Sequence, residues 1–177
     1  MKIYIALLRG INVSGQKKVP MAELRQLLTA KGLNAVQTYI QSGNVIFKSS
    51  EENYQKLEFT IHEVIKDDFG FEVPILIKTP EDLQKILDDC PFYNSKKQES
   101  YFMLLYSSAS ENLVKEISKL SYSEEEFTIT DDCIYFHSAK GYGKSKFNNN
   151  FFERKFKVTA TARNYKTMLK LLSLSAD

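Results

Sequence analysis

Two stretches of this chain carry glycines, lysines and hydroxyls at spacings close to those that cradle a phosphate. In Leu8 to Met21, LRGINVSGQKKVPM, Gly10 and Gly15 are followed by Lys17 and Lys18. In Ser138 to Ser145, SAKGYGKS, the triplet Gly143-Lys144-Ser145 stands between a predicted strand and a predicted helix. A phosphate-binding P-loop reads G-x-x-x-x-G-K-[ST], so that backbone N–H groups and one ammonium converge on the anion. The first stretch has Gln16 where the lysine belongs, and the second has Ser138 where the first glycine belongs. P-loop nucleotidases also need a parallel sheet and a magnesium-binding Asp at a strand end. The pattern below gives neither, so nucleotide hydrolysis is set aside.

Other chemistries find less support. The two histidines, His62 in a helical pattern and His137 at a strand end, have no nucleophile motif beside them, so no Ser/His/Asp or Cys/His arrangement can be assembled. Cys133 and His137 share a strand face, but no Cys-x-x-Cys or His-x-x-x-His spacing accompanies them, and no metal or cofactor is expected. Two cysteines, Cys90 and Cys133, make no disulfide framework and read as reduced core thiols. The acidic runs Glu124 to Glu126 and Asp131-Asp132 read as a solvated loop and a hairpin turn. A net charge of +2 over 177 residues is too small to imply nucleic-acid binding by itself, so any anion site must be local. No apolar run is long enough for a membrane helix, and the N-terminal MKIYIALLRGIN lacks the core and cleavage site of a secretory signal. The expectation is a cytoplasmic protein with no membrane partner.

The elements that must position these loops follow from periodicity. Ile3 to Leu8 is apolar on both alternating faces, as a strand covered on both sides requires. Pro20 opens a helix to about 31, with Met21, Leu24, Leu27 and Leu28 on one stripe and Gly32 at its end. Val36 to Gln41 and Asn44 to Lys48 read as strands joined by a tight Ser42-Gly43 turn. Ser49 and Glu52 have capping-box spacing before a long helix, and Val73 to Lys78 is a strand whose Pro74 suits a sheet edge. Thr79-Pro80-Glu81-Asp82 starts a short helix to about Asp89. The order then repeats: strand Tyr101 to Tyr106, a Ser110-capped helix, strands Phe127 to Thr130 and Ile134 to His137, a phenylalanine-rich helix, a short strand Lys157 to Thr161, and a helix capped by Asn164.

The chain therefore reads as an α+β duplication: two tandem ferredoxin-like β-α-β-β-α-β halves with antiparallel sheets. The first half spans 1–78, a connecting helix and loop 79–99, and the second half with its C-terminal helix 100–177. Strands apolar on both faces leave no open aromatic sheet for reading RNA. In this topology the loop after the first strand lies at the same end as the hairpin, which brings Arg9, Asn12, Ser14 and Gly15 near Ser42, Gly43 and Asn44. In the second half the same geometry puts Lys144 and Ser145 at the end where Thr161, Arg163 and Asn164 leave the last strand. Arg9 and Arg163 each sit at a strand end with no carboxylate at i,i+4.

The strings ALLRGINV, VPMAELRQLL, TYIQSGNVIF, GYGKSKF and TATARNYKTMLKL occur in the order found in a bacterial family, domain of unknown function 1697, which this chain resembles from Ile5 to about Leu172. Ser14 stands where that family usually has Gly, and Tyr165 where it often has Trp. The resemblance implies two ferredoxin-like repeats and brings no established activity. Its signature strings coincide with the two loop edges, making Arg9, Asn12, Ser42, Asn44, Lys144, Arg163 and Asn164 the candidate ligand-binding residues. Cation, hydroxyl and amide groups of this kind suit phosphate or carboxylate, so the partner pointed to is an anionic small molecule, a nucleotide or a nucleic-acid end. Two alternatives stay open: an enzyme of unassigned reaction at the same edge, and loops that serve folding alone.

Overall fold

The computed structural model describes residues 1–176. The strands are β1 (Lys2–Leu8), β2 (Asn34–Tyr39), β3 (Asn44–Ser49), β4 (Ile75–Lys78), β5 (Tyr101–Leu105), β6 (Glu125–Ile129), β7 (Cys133–Ser138) and β8 (Ala160–Asn164). The helices are α1 (Met21–Ala30), α2 (Tyr54–Phe69), α3 (Pro80–Asp88), α4 (Asn94–Gln98), α5 (Glu111–Ile117), α6 (Asn149–Phe156) and α7 (Tyr165–Leu174). They form two antiparallel four-stranded sheets, ordered β2-β3-β1-β4 and β6-β7-β5-β8. The second order repeats the first, so both halves carry the β-α-β-β-α-β arrangement. The chain divides into two compact units, one of Met1–Gln84 with the C-terminal residues from Lys170 on, the other of Lys85–Leu169.

In the first unit, period-two alternation sends Tyr4, Ala6, Leu8, Val45, Phe47, Ile75 and Ile77 to one face. There they meet Met21, Leu24 and Leu28 of α1 and Leu57, Ile61, Val64 and Ile65 of α2 in one buried cluster. Each of these large side chains contributes roughly 1.5–3 kcal/mol by leaving water. The alternate residues Ile5, Leu7, Ile46 and Leu76 are buried as well. In the second unit Met103, Leu105, Ile134, Phe136 and Ala160 pack with Ile117, Phe147, Phe152 and Phe156, while Phe102, Leu104, Tyr135, Thr161 and Arg163 on the opposite face are buried too. In each half a glutamate of the second helix reaches the outer strand: Glu58 Oε1 accepts from Ile77 N at 3.3 Å and Glu153 Oε1 from Ala160 N at 2.9 Å.

Several boundaries differ from the sequence reading. The β2–β3 connection has four residues, Ile40 to Gly43, rather than two, with Ile40 and Gly43 both at positive φ. Ser49 ends β3, and its hydroxyl accepts from Glu51 N; α2 is capped four residues later by Asn53, which accepts from Lys56 N at 3.1 Å. Pro20 precedes α1 instead of lying in it, with its carbonyl accepting from Leu24 N. The Thr79–Asp82 capping box is present, each side chain accepting from the other's backbone N–H. Helix α4 lies within the stretch expected to be a connecting loop. The last strand lies three residues later than Lys157 to Thr161, because Lys157 closes α6 at a φ of 56°, a left-handed conformation that a strand cannot include.

Candidate functional site

The first loop edge is built around one asparagine. Leu8 N donates to Gly43 O at 2.8 Å and Arg9 N to Pro74 O at 3.0 Å, so β1 ends flanked by the hairpin and by the residue before β4. Gly10, at a φ of 72°, then turns the chain away. Ile11 and Val19 are buried and anchor the two ends of the exposed segment between them. Asn12 Oδ1 accepts from Val19 N at 2.9 Å, while its Nδ2 donates to Val19 O at 3.1 Å and to Gln41 O at 2.9 Å. One side chain thus closes the base of the loop and ties it to the hairpin. Across the tip, Asn12 N donates to Lys17 O and Gln16 N to Val13 O.

The hairpin has its own brace. Asn44, fully buried, donates from Nδ2 to Tyr39 O at 3.0 Å and to Ser42 Oγ at 3.1 Å. Gly43 has a φ of +79°, and a Cβ there would stand 2.7 Å from Leu8 Cβ and 3.1 Å from Ile11, so only glycine lets the hairpin lie against β1. The structure therefore brings Arg9, Asn12, Ser42 and Asn44 to one end of the first sheet, as the topology requires. Asn12 and Asn44 direct the amide bonds described above to the backbone and to Ser42. Arg9 is half-buried and Lys18 exposed. Lys17 reaches Glu72 O at 2.8 Å and lies over the Phe71 ring at 5.9 Å, which holds it against its own unit.

The second edge is arranged differently. Lys144 is exposed at the end of a 3-10 turn, Tyr142–Lys144, that follows Gly141 at a φ of 83°. Ser145 is buried and donates to Gly141 O at 3.0 Å. The Tyr142 ring stacks on Tyr101 at 4.4 Å, so this turn does lie at the end where β8 leaves the sheet beside Tyr101. Arg163, however, lies inside β8 rather than at its exit, and alternation turns it onto the sheet face opposite Ala160 and Ala162. It is 6% exposed and donates from Nη1 to Thr161 Oγ1 at 2.7 Å and to Ala162 O at 2.9 Å. Asn164 caps α7, its Oδ1 accepting from Thr167 N at 2.8 Å.

Two carboxylates that read as loop residues in the sequence belong to this edge. Glu125 opens β6 and accepts from Lys146 N at 3.0 Å and Phe147 N at 2.9 Å, bracing the lysine-rich loop. Glu124 pairs with Lys140 at 2.6 Å, and its hydrogen-bonded partner holds the Lys140 ammonium above the usual lysine range. The missed signal was period two: Glu125, Phe127 and Ile129 are the less exposed residues of β6 and share a face. Among the described residues no group of three or more His, Cys, Asp and Glu side chains is placed to hold a metal ion, and no helix is long and apolar enough to cross a membrane. His137 Nε2 stands 3.5 Å from Glu99, and Cys133 is buried.

No curated protein matches this sequence. A solved structure, that of the conserved bacterial protein SP0830 from Streptococcus pneumoniae, is similar over all of this chain and 99% of its own, with a TM-score of 0.77 and 28% sequence identity. The model of the family described as Protein of unknown function (DUF1697) matches residues 1–135. The chain belongs to that family.

Proposed function

We propose that this DUF1697 member is a binding module for an anionic, phosphate-bearing ligand taken at the loop edge of its first unit. The observation that carries the reading is the Asn12 staple: an exposed loop is locked by three side-chain hydrogen bonds at a place where cations gather. A fixed loop spends little ordering entropy when an anion arrives, which favours binding by few contacts. Arg9 and Lys18 supply charge, with Ser14, Gly15 and Ser42 as short polar neighbours, while Asn12 and Asn44 hold the frame. Lys144 offers a second cation in the other unit; the buried Arg163 and the capping Asn164 serve there as supports. A cytoplasmic setting belongs to the same reading, supported by two buried thiols outside any disulfide.

Thermal unfolding of the native chain in inorganic phosphate and pyrophosphate tests this, because a ligand of the folded state raises the melting temperature by mass action. A rise that shrinks in Lys18→Ala and Arg9→Ala, and persists in Lys144→Ala, is the expected result. No rise in the native chain, or an equal rise in Lys18→Ala and Arg9→Ala, overturns it. A purely structural role for the loops is the second reading, favoured by the backbone bonds of Asn12 and Asn44. It predicts that substitutions there change stability while no anion does.

A further inference from the structure

The tip of the first edge is not purely polar. Val13 is 57% exposed and Ile40 49% exposed, one on each of the two loops joined by the Asn12 Nδ2 to Gln41 O bond. A single exposed aliphatic residue needs no explanation. Ile40, however, holds a φ of 49°, a conformation that β-branched side chains rarely adopt and that Asn or Gly would take with less strain. An apolar side chain kept there, half in water, contributes little to the fold. In the sequence on either side of each residue the charge is of one sign. No Asp or Glu occurs from Met1 to Ala22 or from Gly32 to Phe47, whereas Arg9, Lys17 and Lys18 fall within the first of these stretches. Lys17 is bonded to Glu72 O, and Arg9 and the exposed Lys18 are the other cations nearest in sequence to Val13.

Resting on the anion-binding reading above, we propose that the ligand of this edge is a phosphate ester with an apolar or planar organic body, of the nucleoside monophosphate class. Lys18 and Arg9 meet the phosphate, and the body lies on Val13 and Ile40. A bare inorganic anion uses only the cations, and an uncharged apolar molecule uses only the aliphatic pair. An ester uses both, which is the combination the edge presents.

Titration of the isotope-labelled chain by NMR with adenosine monophosphate, adenosine and inorganic phosphate separates these cases. The monophosphate is expected to bind about tenfold more tightly than either fragment, the scale of removing a small apolar area from water. Val13→Ser and Ile40→Asn should bring it to the level of inorganic phosphate, with Lys18→Ala weakening both. Ile40→Asn suits the left-handed backbone, and circular dichroism checks that each variant is folded. Equal affinity for monophosphate and inorganic phosphate overturns the ester assignment while leaving the anion site standing. Adenosine binding as tightly as its monophosphate overturns it too, and no binding by any of the three removes both the ester and the anion site.

Discussion

The loop edges of the two units are fixed by side chains of different charge. A neutral amide, Asn12, closes the first, whereas a carboxylate, Glu125, closes the second by accepting from two successive backbone N–H groups. The brace of the first edge thus adds no charge beside its cations. In the second, Glu124 pairs with Lys140 and Glu125 lies under the Lys144–Lys146 loop, so much of the positive charge in SAKGYGKSK is balanced within the unit. The two sequences look equally lysine-rich, yet the brace of the second edge adds a carboxylate and that of the first does not. A loop's fitness to bind phosphate depends on how its frame is braced as well as on the lysines it carries.

The same contrast can be broken by substitution, and the largest effect is expected where the brace is steric. Gly43→Ala combines a φ of +79° with a Cβ 2.7 Å from Leu8 Cβ, and should lower unfolding free energy by more than about 3 kcal/mol. Gly141→Ala in the second edge has a φ of 83° and a ψ of 155°, a region essentially reserved for glycine, but nothing within 4 Å of the new Cβ, and should cost about 1–3 kcal/mol. Urea unfolding of both variants measures the difference; equal losses would show that the close approach at Gly43 has no energetic weight. Next come the hydrogen-bonding braces. Asn12→Ala removes three bonds, leaves Val19 N without its acceptor, and should cost about 2 kcal/mol; Glu125→Ala removes two bonds, one of them to the exposed Lys146, and should cost about 1 kcal/mol. If removing Glu125 also raises the affinity of the second edge for inorganic phosphate, the electrostatic difference between the edges is sharpened into a causal one.

The smallest effect concerns Glu58, one of the two glutamates that reach the outer strands. Burial holds the Glu58 carboxyl above the usual glutamate range, in spite of its bond from Ile77 N and the nearby Lys78. A raised folded-state pKa means that this group's stabilising contribution is present at low pH and is lost as pH rises through that value. Glu58→Gln keeps an acceptor for Ile77 N and removes the buried charge. It should be as stable as the native chain or slightly more so at pH 7, by less than about 1 kcal/mol after solvent screening. The difference should vanish below the carboxylate range. A stability gap that is unchanged between pH 7 and pH 4 would count against burial as the cause.

Much of the fold was legible because it rests on local rules. The alternation in Ile3–Leu8, the Gly32 stop after α1, the Thr79–Asp82 capping box and the Ser110 and Asn164 caps are all short-range signals, and the structure contains each. The misplacements have one physical form: a residue with two local roles took the one decided at a distance. Ser49 had capping-box spacing, but pairing with Lys2 keeps it in β3, and Asn53 caps the helix. Lys157 and Val158 look extended, yet Lys157 ends α6 in a left-handed turn, so β8 starts later and Arg163 moves from a strand exit to a buried strand position. Glu125 read as solvated because the partner groups that give it a role lie more than twenty residues away.

The sequence by itself determined two β-α-β-β-α-β halves, since hydrophobic period and turn chemistry are properties of neighbouring residues. It also determined that the β1 loop and the β2–β3 hairpin share one end of a sheet, because strand direction follows from the order of elements. Only the tertiary structure decided what each polar residue does there. Asn12, Lys17 and Glu125 find their partners through contacts that no spacing rule encodes, and those contacts brace one loop edge with a neutral amide and the other with a carboxylate.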